Sequence, residues 1–158
     1  MKYCANTDGV NHINIYSKGR TELGQFLSNF AYSPIEIDGL SFASLEGYWF
    51  WLRTHDERLR SLFGFEAKDL GGNLKVTVLI STDEFKKKFR RAMNLKIQDD
   101  RYYKFQKTFI ESTLPFAHYY VYNGKIKKPG HQWVIEHWTL IRSILKEEIK
   151  DYENVYNM

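Results

Sequence analysis

The chain has 158 residues, 43% hydrophobic, 27% charged and 16% aromatic, with a formal net charge of +4. The hydrophobic and charged shares are ordinary for a soluble globular protein, the aromatic share is high, and the length is enough for one domain with a real core. A single cysteine, Cys4, excludes an internal disulfide and a zinc site of several thiolates.

The first ten residues are polar and irregular and read as a loose N-terminus, leaving 11–158 as a single domain. His12–Ser17 alternates, with Ile13 and Ile15 on one side, which predicts a short strand. Lys18–Thr21 reads as a loop. Pro34–Gly39 alternates again and ends in Asp-Gly, a strand running into a tight turn. A helix is expected from Ser44, whose hydroxyl suits an N-cap. Leu45, Tyr48, Trp49 and Leu52 then form an apolar stripe. Glu46 lies about 100° from Leu45 around that helix, on the flank of the stripe and near the positive end of the dipole.

Leu70-Gly71-Gly72 reads as a break, and Leu74–Ile80 as a strand with Val76, Val78 and Ile80 alternating. Asp83–Leu95 is a predicted helix with Phe85, Phe89 and Met93 inward; Lys86–Lys88, Arg90 and Arg91, joined by Lys96, form a basic outer face. Another runs from Asp99 to Thr113 with Tyr102, Phe105, Phe109 and Ile110 on one side. Phe116–Tyr122 is aromatic and extended, and Asn123-Gly124 signals a hairpin turn. Gln132–Lys150 closes the chain as a helix carrying Val134, Trp138, Ile141 and Leu145. Helices and short strands mix without a regular βαβ alternation, so the fold class is α+β.

No apolar run is long enough to span a bilayer and no signal-peptide pattern opens the sequence, so a cytoplasmic protein without a membrane partner is expected. The motifs for a phosphate loop, a paired-histidine helix and a zinc finger are missing. The five histidines are scattered, so neither a metal nor another cofactor is expected. The basic excess suits a polyanionic partner or a phosphate-bearing substrate without requiring either. The aromatic surplus suits a crowded core or a cleft where rings stack on a base. Lys125, Lys127 and Lys128 form a second cationic cluster after the hairpin turn.

Two stretches carry candidate chemistry. Leu27-Ser28-Asn29-Phe30 sets a hydroxyl and a carboxamide between two apolar anchors. It is read as a backbone turn, the commoner use of such residues, or as a hydrogen-bonding pair aimed at a ribose or base edge. Glu46 is read as an ordinary first-turn glutamate or as a carboxylate in an aromatic cleft with Tyr48, Trp49, Phe50 and Trp51. In a cleft, desolvation raises its pKa and the helix dipole opposes the rise.

The order Leu-Ser-Asn-Phe, a strand ending in Asp-Gly, and Ser-x-Glu opening an aromatic helix resembles the NADAR, or YbiA-like, superfamily. Ala67-Lys68-Asp69-Leu70-Gly71 is similar to its Ala-Lys-x-Leu-Gly segment. Phe85…Met93 and Ile141-Arg142 resemble two later helices, so the likeness spans about Ile13 to Leu145. The resemblance implies an N-glycosidase that hydrolyses the C1′–N bond between ribose and a base. The expected substrate is an ADP-ribosylated nucleobase, guanine in DNA, in an antitoxin or counter-defence role. Phosphoribosylated riboflavin-pathway metabolites are the alternative substrate, and a non-catalytic module binding ADP-ribose or nucleic acid is a third reading. The resemblance carries the essential glutamate onto Glu46 and its asparagine partner onto Asn29. Arg20, Ser28, Phe30, Tyr48, Trp49, Lys68, His118 and Tyr119 are the expected substrate contacts. Arg20 is the candidate pyrophosphate clamp, and His118, Tyr119 and Lys68 the candidate acids. The sequence departs from the pattern at Gly47 and Phe50, where many members carry His and Gln, and it lacks the later Asp-x-x-Trp-Gly motif.

Overall fold

Thr21, Ser44 and Ser81 each accept a hydrogen bond from the backbone N–H three residues on, at 2.9, 3.0 and 3.1 Å. Each opens a helix, because the hydroxyl satisfies a donor that the first turn leaves free. The computed structural model describes residues 3–157. In chain order these form β1 (Ile13–Asn14), α1 (Glu22–Leu27), β2 (Ile35–Ile37), β3 (Leu40–Phe42) and α2 (Leu45–Thr54). Then come α3 (Gly64–Asn73), α4 (Thr82–Gln98), α5 (Tyr103–Glu111), β4 (Phe116–Ala117), β5 (Tyr120–Tyr122), β6 (Lys125–Lys127) and α6 (Gln132–Tyr156). The fold is α+β.

The strands pair two by two. β2 and β3 form a hairpin across Asp38-Gly39, and β5 and β6 one across Asn123-Gly124. All four turn residues have positive φ, as the tight hairpin turn requires. β1 instead pairs in parallel with β4, setting Ile13 opposite Phe116. Asn14 reinforces this join from its side chain. It donates to the Tyr119 carbonyl and accepts from the Tyr119 N–H, both at 3.0 Å.

The apolar stripes of α2, α4, α5 and α6 converge on one core containing Leu45, Leu52, Phe89, Met93, Ile97, Phe109, Trp138 and Ile141. Burial of these side chains, each contributing roughly 1.5–3 kcal/mol, fixes the helices around the small strand pairs. Lys96 sits inside this core, fully buried, and not on the basic face of α4. Its ammonium lies 4.6 Å from the centre of the Phe26 ring and donates one hydrogen bond, 3.3 Å to the Ser28 carbonyl. Burial with so little compensation lowers its pKa to about 7.

Several local expectations are overturned. Leu74–Ile80 is not a strand: it pairs with no other segment, and the N–H groups of Thr77 and Val78 both donate to the Arg53 carbonyl. Val76 and Leu79 point to solvent. Gly71 and Gly72 do not break the chain but lie within α3, where a Cβ on Gly71 would fall 2.1 Å from the Phe50 ring. The glycine is there to let Phe50 in. Helix α1 follows a loop that gave no periodic signal in so few residues. The expected loose N-terminus holds a 3-10 turn, Ala5–Thr7, and a buried Asp8 accepting from the N–H groups of Asn14 and Arg20 at 2.9 and 2.8 Å. Those two donors tie Asp8 to β1 and to the Lys18–Thr21 loop; Met1 and Lys2 lie outside the described residues. No helix among the described residues is long and apolar enough to cross a membrane.

Candidate functional site

The Leu27–Phe30 loop is a joint between helices. The Asn29 carbonyl accepts from the N–H of Glu46 at 2.9 Å, and the Phe30 carbonyl accepts from the N–H of Gly64 at 3.0 Å. The loop therefore supplies acceptors to the free donors at the starts of both α2 and α3. Ser28 serves the turn itself, its hydroxyl accepting from the Phe30 N–H at 3.2 Å. The side chain of Asn29 makes no hydrogen bond to the described residues and faces a cleft of about 640 Å³. The turn reading describes Ser28, which is not free to pair with Asn29 toward a ligand; the Asn29 side chain alone is left available.

The cleft is walled by three regions distant in sequence. Asn29, Phe30, Glu46, Trp49 and Phe50 form one side, the Ile15–Lys18 segment another, and the β4–β5 region with the start of α6 the third. Lys18, Lys68 and Lys127 bring cationic side chains to it. Trp49 stands against His131 and Trp133, with ring centres at 4.9 and 5.9 Å. Tyr16 tilts against Tyr120 at 5.4 Å. The site combines aromatic walls, a few polar groups and cations at the rim, the composition expected of a pocket for a charged, ring-containing ligand.

Glu46 is mostly removed from water, and that desolvation raises its carboxyl to about 7, with the charge of Lys68 pulling the other way. Desolvation thus outweighs the charge of the lysine. Tyr120 is raised too, first by burial and then by the charge of Glu46. His118 donates from Nδ1 to the Ile15 carbonyl at 2.6 Å, which leaves Nε2 as the acceptor of a neutral ring. Its pKa is lowered, chiefly by burial and also by His131, so the neutral form is favoured.

The structure brings together Asn29, Glu46, Ser28, Phe30, Trp49, Lys68 and His118. It places Arg20, Tyr48 and Tyr119 elsewhere. The Arg20 guanidinium donates to the Asn6 carbonyl at 2.9 Å, and its backbone is held by Asp8. Tyr48 is buried between Phe42 and Phe89 and faces a separate groove with Trp51 and His55. Tyr119 is buried, its hydroxyl donating to Nε2 of His12 at 2.6 Å, while its neighbour Tyr120 turns to the cleft. Phe50 lines the cleft as expected, whereas Trp51 lies in the separate groove; Tyr16, Lys18, Tyr120, Tyr122, Lys127 and His131 line the cleft without having been singled out for it. The alternation of Tyr120 and Tyr122 was a usable signal for two of them; Tyr16 carried none.

The departures from the family pattern have packing explanations. A Cβ on Gly47 would lie 2.4 Å from the Leu59 carbonyl oxygen, so no histidine fits there. Phe50 fills the space above Gly71. Among the described residues no group of three or more His, Cys, Asp or Glu is placed to hold a metal ion.

No family model matches the chain, and no curated protein matches it. Among solved structures, the NMR structure of the E. coli protein YbiA matches with a TM-score of 0.64 at 19% sequence identity. The match covers 94% of this chain and 95% of that one. The chain has a YbiA-like fold over nearly its whole length.

Proposed function

We propose that the chain is an N-glycosidase that hydrolyses the C1′–N bond joining the ribose of ADP-ribose to a nucleobase, guanine in DNA, in an antitoxin or counter-defence role. The observation that carries this reading is a desolvated carboxyl, Glu46, beside the free carboxamide of Asn29 in an aromatic cleft with lysines at its rim. The YbiA-like fold and the Leu27–Phe30 and Ser44–Glu46 motifs support it.

Cleaving this bond builds positive charge on the ribose and negative charge on the departing nitrogen. A carboxyl with a pKa of about 7 holds comparable amounts of both protonation states at neutral pH. In the acid form Glu46 protonates the leaving nitrogen as the C1′–N bond breaks. The carboxylate so formed stabilises the oxocarbenium ion, takes a proton from the attacking water and returns to the acid form. Atoms and charge balance with one residue. His118 is not needed as the acid; its free Nε2 accepts a hydrogen bond from a ribose hydroxyl. Asn29 orients the sugar, and Lys18 and Lys68 offset phosphate charge.

The test is release of free ADP-ribose from an ADP-ribosylated oligonucleotide, read by mass spectrometry, for wild type and Glu46→Gln. Release by wild type alone supports the reading. Turnover only of phosphoribosylated riboflavin-pathway metabolites assigns the alternative substrate. Binding of ADP-ribose without turnover leaves a binding module, and full activity in Glu46→Gln overturns the role of the carboxyl.

A further inference from the structure

The β5–β6 hairpin leaves the body of the protein at the cleft and carries a pattern that the cleft alone does not use. Its register sets Tyr120 opposite Lys127 and Tyr122 opposite Lys125. Residues two apart share a face of a strand, so two Tyr–Lys pairs stand in line, about 7 Å apart along the strand. The first pair is at the cleft. The second continues outward from it: Tyr122 reaches the cleft while 73% exposed, and Lys125 lies beyond the cleft lining. Lys128 follows directly. No acidic residue occurs between Glu111 and Glu136, and Lys125, Lys127 and Lys128 appear in none of the ion pairs among the described residues.

An exposed tyrosine ring beside unpaired lysines, repeated at a spacing comparable to that of successive nucleotides, fits a particular ligand chemistry. Rings stack on bases whatever their identity, and ammonium groups follow the phosphates. We infer that the face of the β5–β6 hairpin binds the single-stranded nucleic acid that flanks the nucleotide held in the cleft. This rests on the reading of the cleft as a nucleotide-sugar site and makes its substrate a polymer. A double helix is disfavoured, because its bases are stacked on one another and Tyr122 has no open face to meet.

The probe is an unmodified, fluorescently labelled 12-nucleotide DNA single strand, followed by anisotropy between 50 and 200 mM salt. Wild type binds at the low-salt end, and log K falls with log salt with a slope of about −2, as roughly three lysine contacts require. Tyr122→Ala weakens binding roughly tenfold at fixed salt. Lys125→Glu with Lys128→Glu weakens it at least as much and reduces the slope by about 1.4. Melting curves check that the hairpin variants remain folded, as exposed positions predict. Failure of wild type to bind at 50 mM salt overturns the inference, as does equal binding by the folded variants. A duplex of the same sequence binding as tightly as the single strand also overturns it. Because the probe carries no ribosyl modification, the result is separate from the hydrolase reading. Hydrolysis of small molecules without strand binding would sink this inference alone.

Discussion

Replacing Glu46 by glutamine should stabilise the protein at alkaline pH and leave it unchanged in acid. The carboxyl has a pKa of about 7 in the folded state against an ordinary value of 4.5. Between these values the folded state binds more protons than the unfolded one, so stability falls as pH rises. The loss is complete above about pH 7. The gap between the two values, at about 1.4 kcal/mol for each pH unit, amounts to about 3 kcal/mol. Glutamine has the shape of the protonated acid and carries no charge, so it avoids that loss. Urea unfolding of both proteins at half-unit steps from pH 4 to 8.5 measures the difference. The curves should coincide near pH 4 and separate to about 3 kcal/mol in favour of Glu46→Gln by pH 8. A constant offset at all pH values, or a variant less stable than wild type at pH 8, would refute the claim that the cleft desolvates this carboxyl.

Lys96 offers the complementary case. Its folded pKa of about 7 lies below the ordinary 10.5, so the penalty for its charge is full below pH 7 and disappears as pH rises to about 10.5. Lys96→Met should gain up to about 5 kcal/mol at pH 6.5 by urea unfolding, with the gain shrinking above neutrality. The Ser28 carbonyl keeps the Ala31 N–H as a donor, so removing the ammonium leaves no orphan there. Gly71→Ala should cost about 1–3 kcal/mol in melting experiments, although alanine is ordinarily the better helix former by about 1 kcal/mol. That cost should largely vanish in a Phe50→Ala background, the signature of a direct clash. Gly47→His, which installs the family's usual residue, should unfold the protein or cost about 3 kcal/mol or more, because a backbone carbonyl blocks the Cβ. A stable Gly47→His variant would show that the α2 junction has slack the structure denies it.

The elements legible in the sequence are those with two agreeing local signals. Ser44 with the Leu45–Leu52 stripe and the Phe85–Met93 periodicity placed α2 and α4, and Asp38-Gly39 and Asn123-Gly124 placed the turns. Where a pattern depended on a distant partner, reading failed. The alternation over Leu74–Ile80 has β-branched residues, but its N–H groups at Thr77 and Val78 are taken by the Arg53 carbonyl, and Gly71 answers to Phe50 in another helix. At the cleft, Asn29 and Glu46 were readable as a pair through their motifs, and one backbone hydrogen bond joins the two segments. Tyr119 and Tyr120 differ by a single step of strand register, which reverses the face a side chain takes. Arg20 was misassigned because loop sequence says nothing of direction; the Asn6 carbonyl and Asp8 hold it away.

The clamp between Asn14 and Tyr119 joins residues 105 positions apart, and His118 reaches Ile15 across 103. During synthesis the Glu46 segment leaves the ribosome long before the third wall of its cleft exists. Until that wall arrives, the nascent carboxyl is wet, keeps its ordinary acidity and is ionised at cellular pH. Long-range closure of this kind is slow compared with helix formation and comes late. The raised pKa of Glu46 is therefore a product of topology, acquired when β4 docks beside β1.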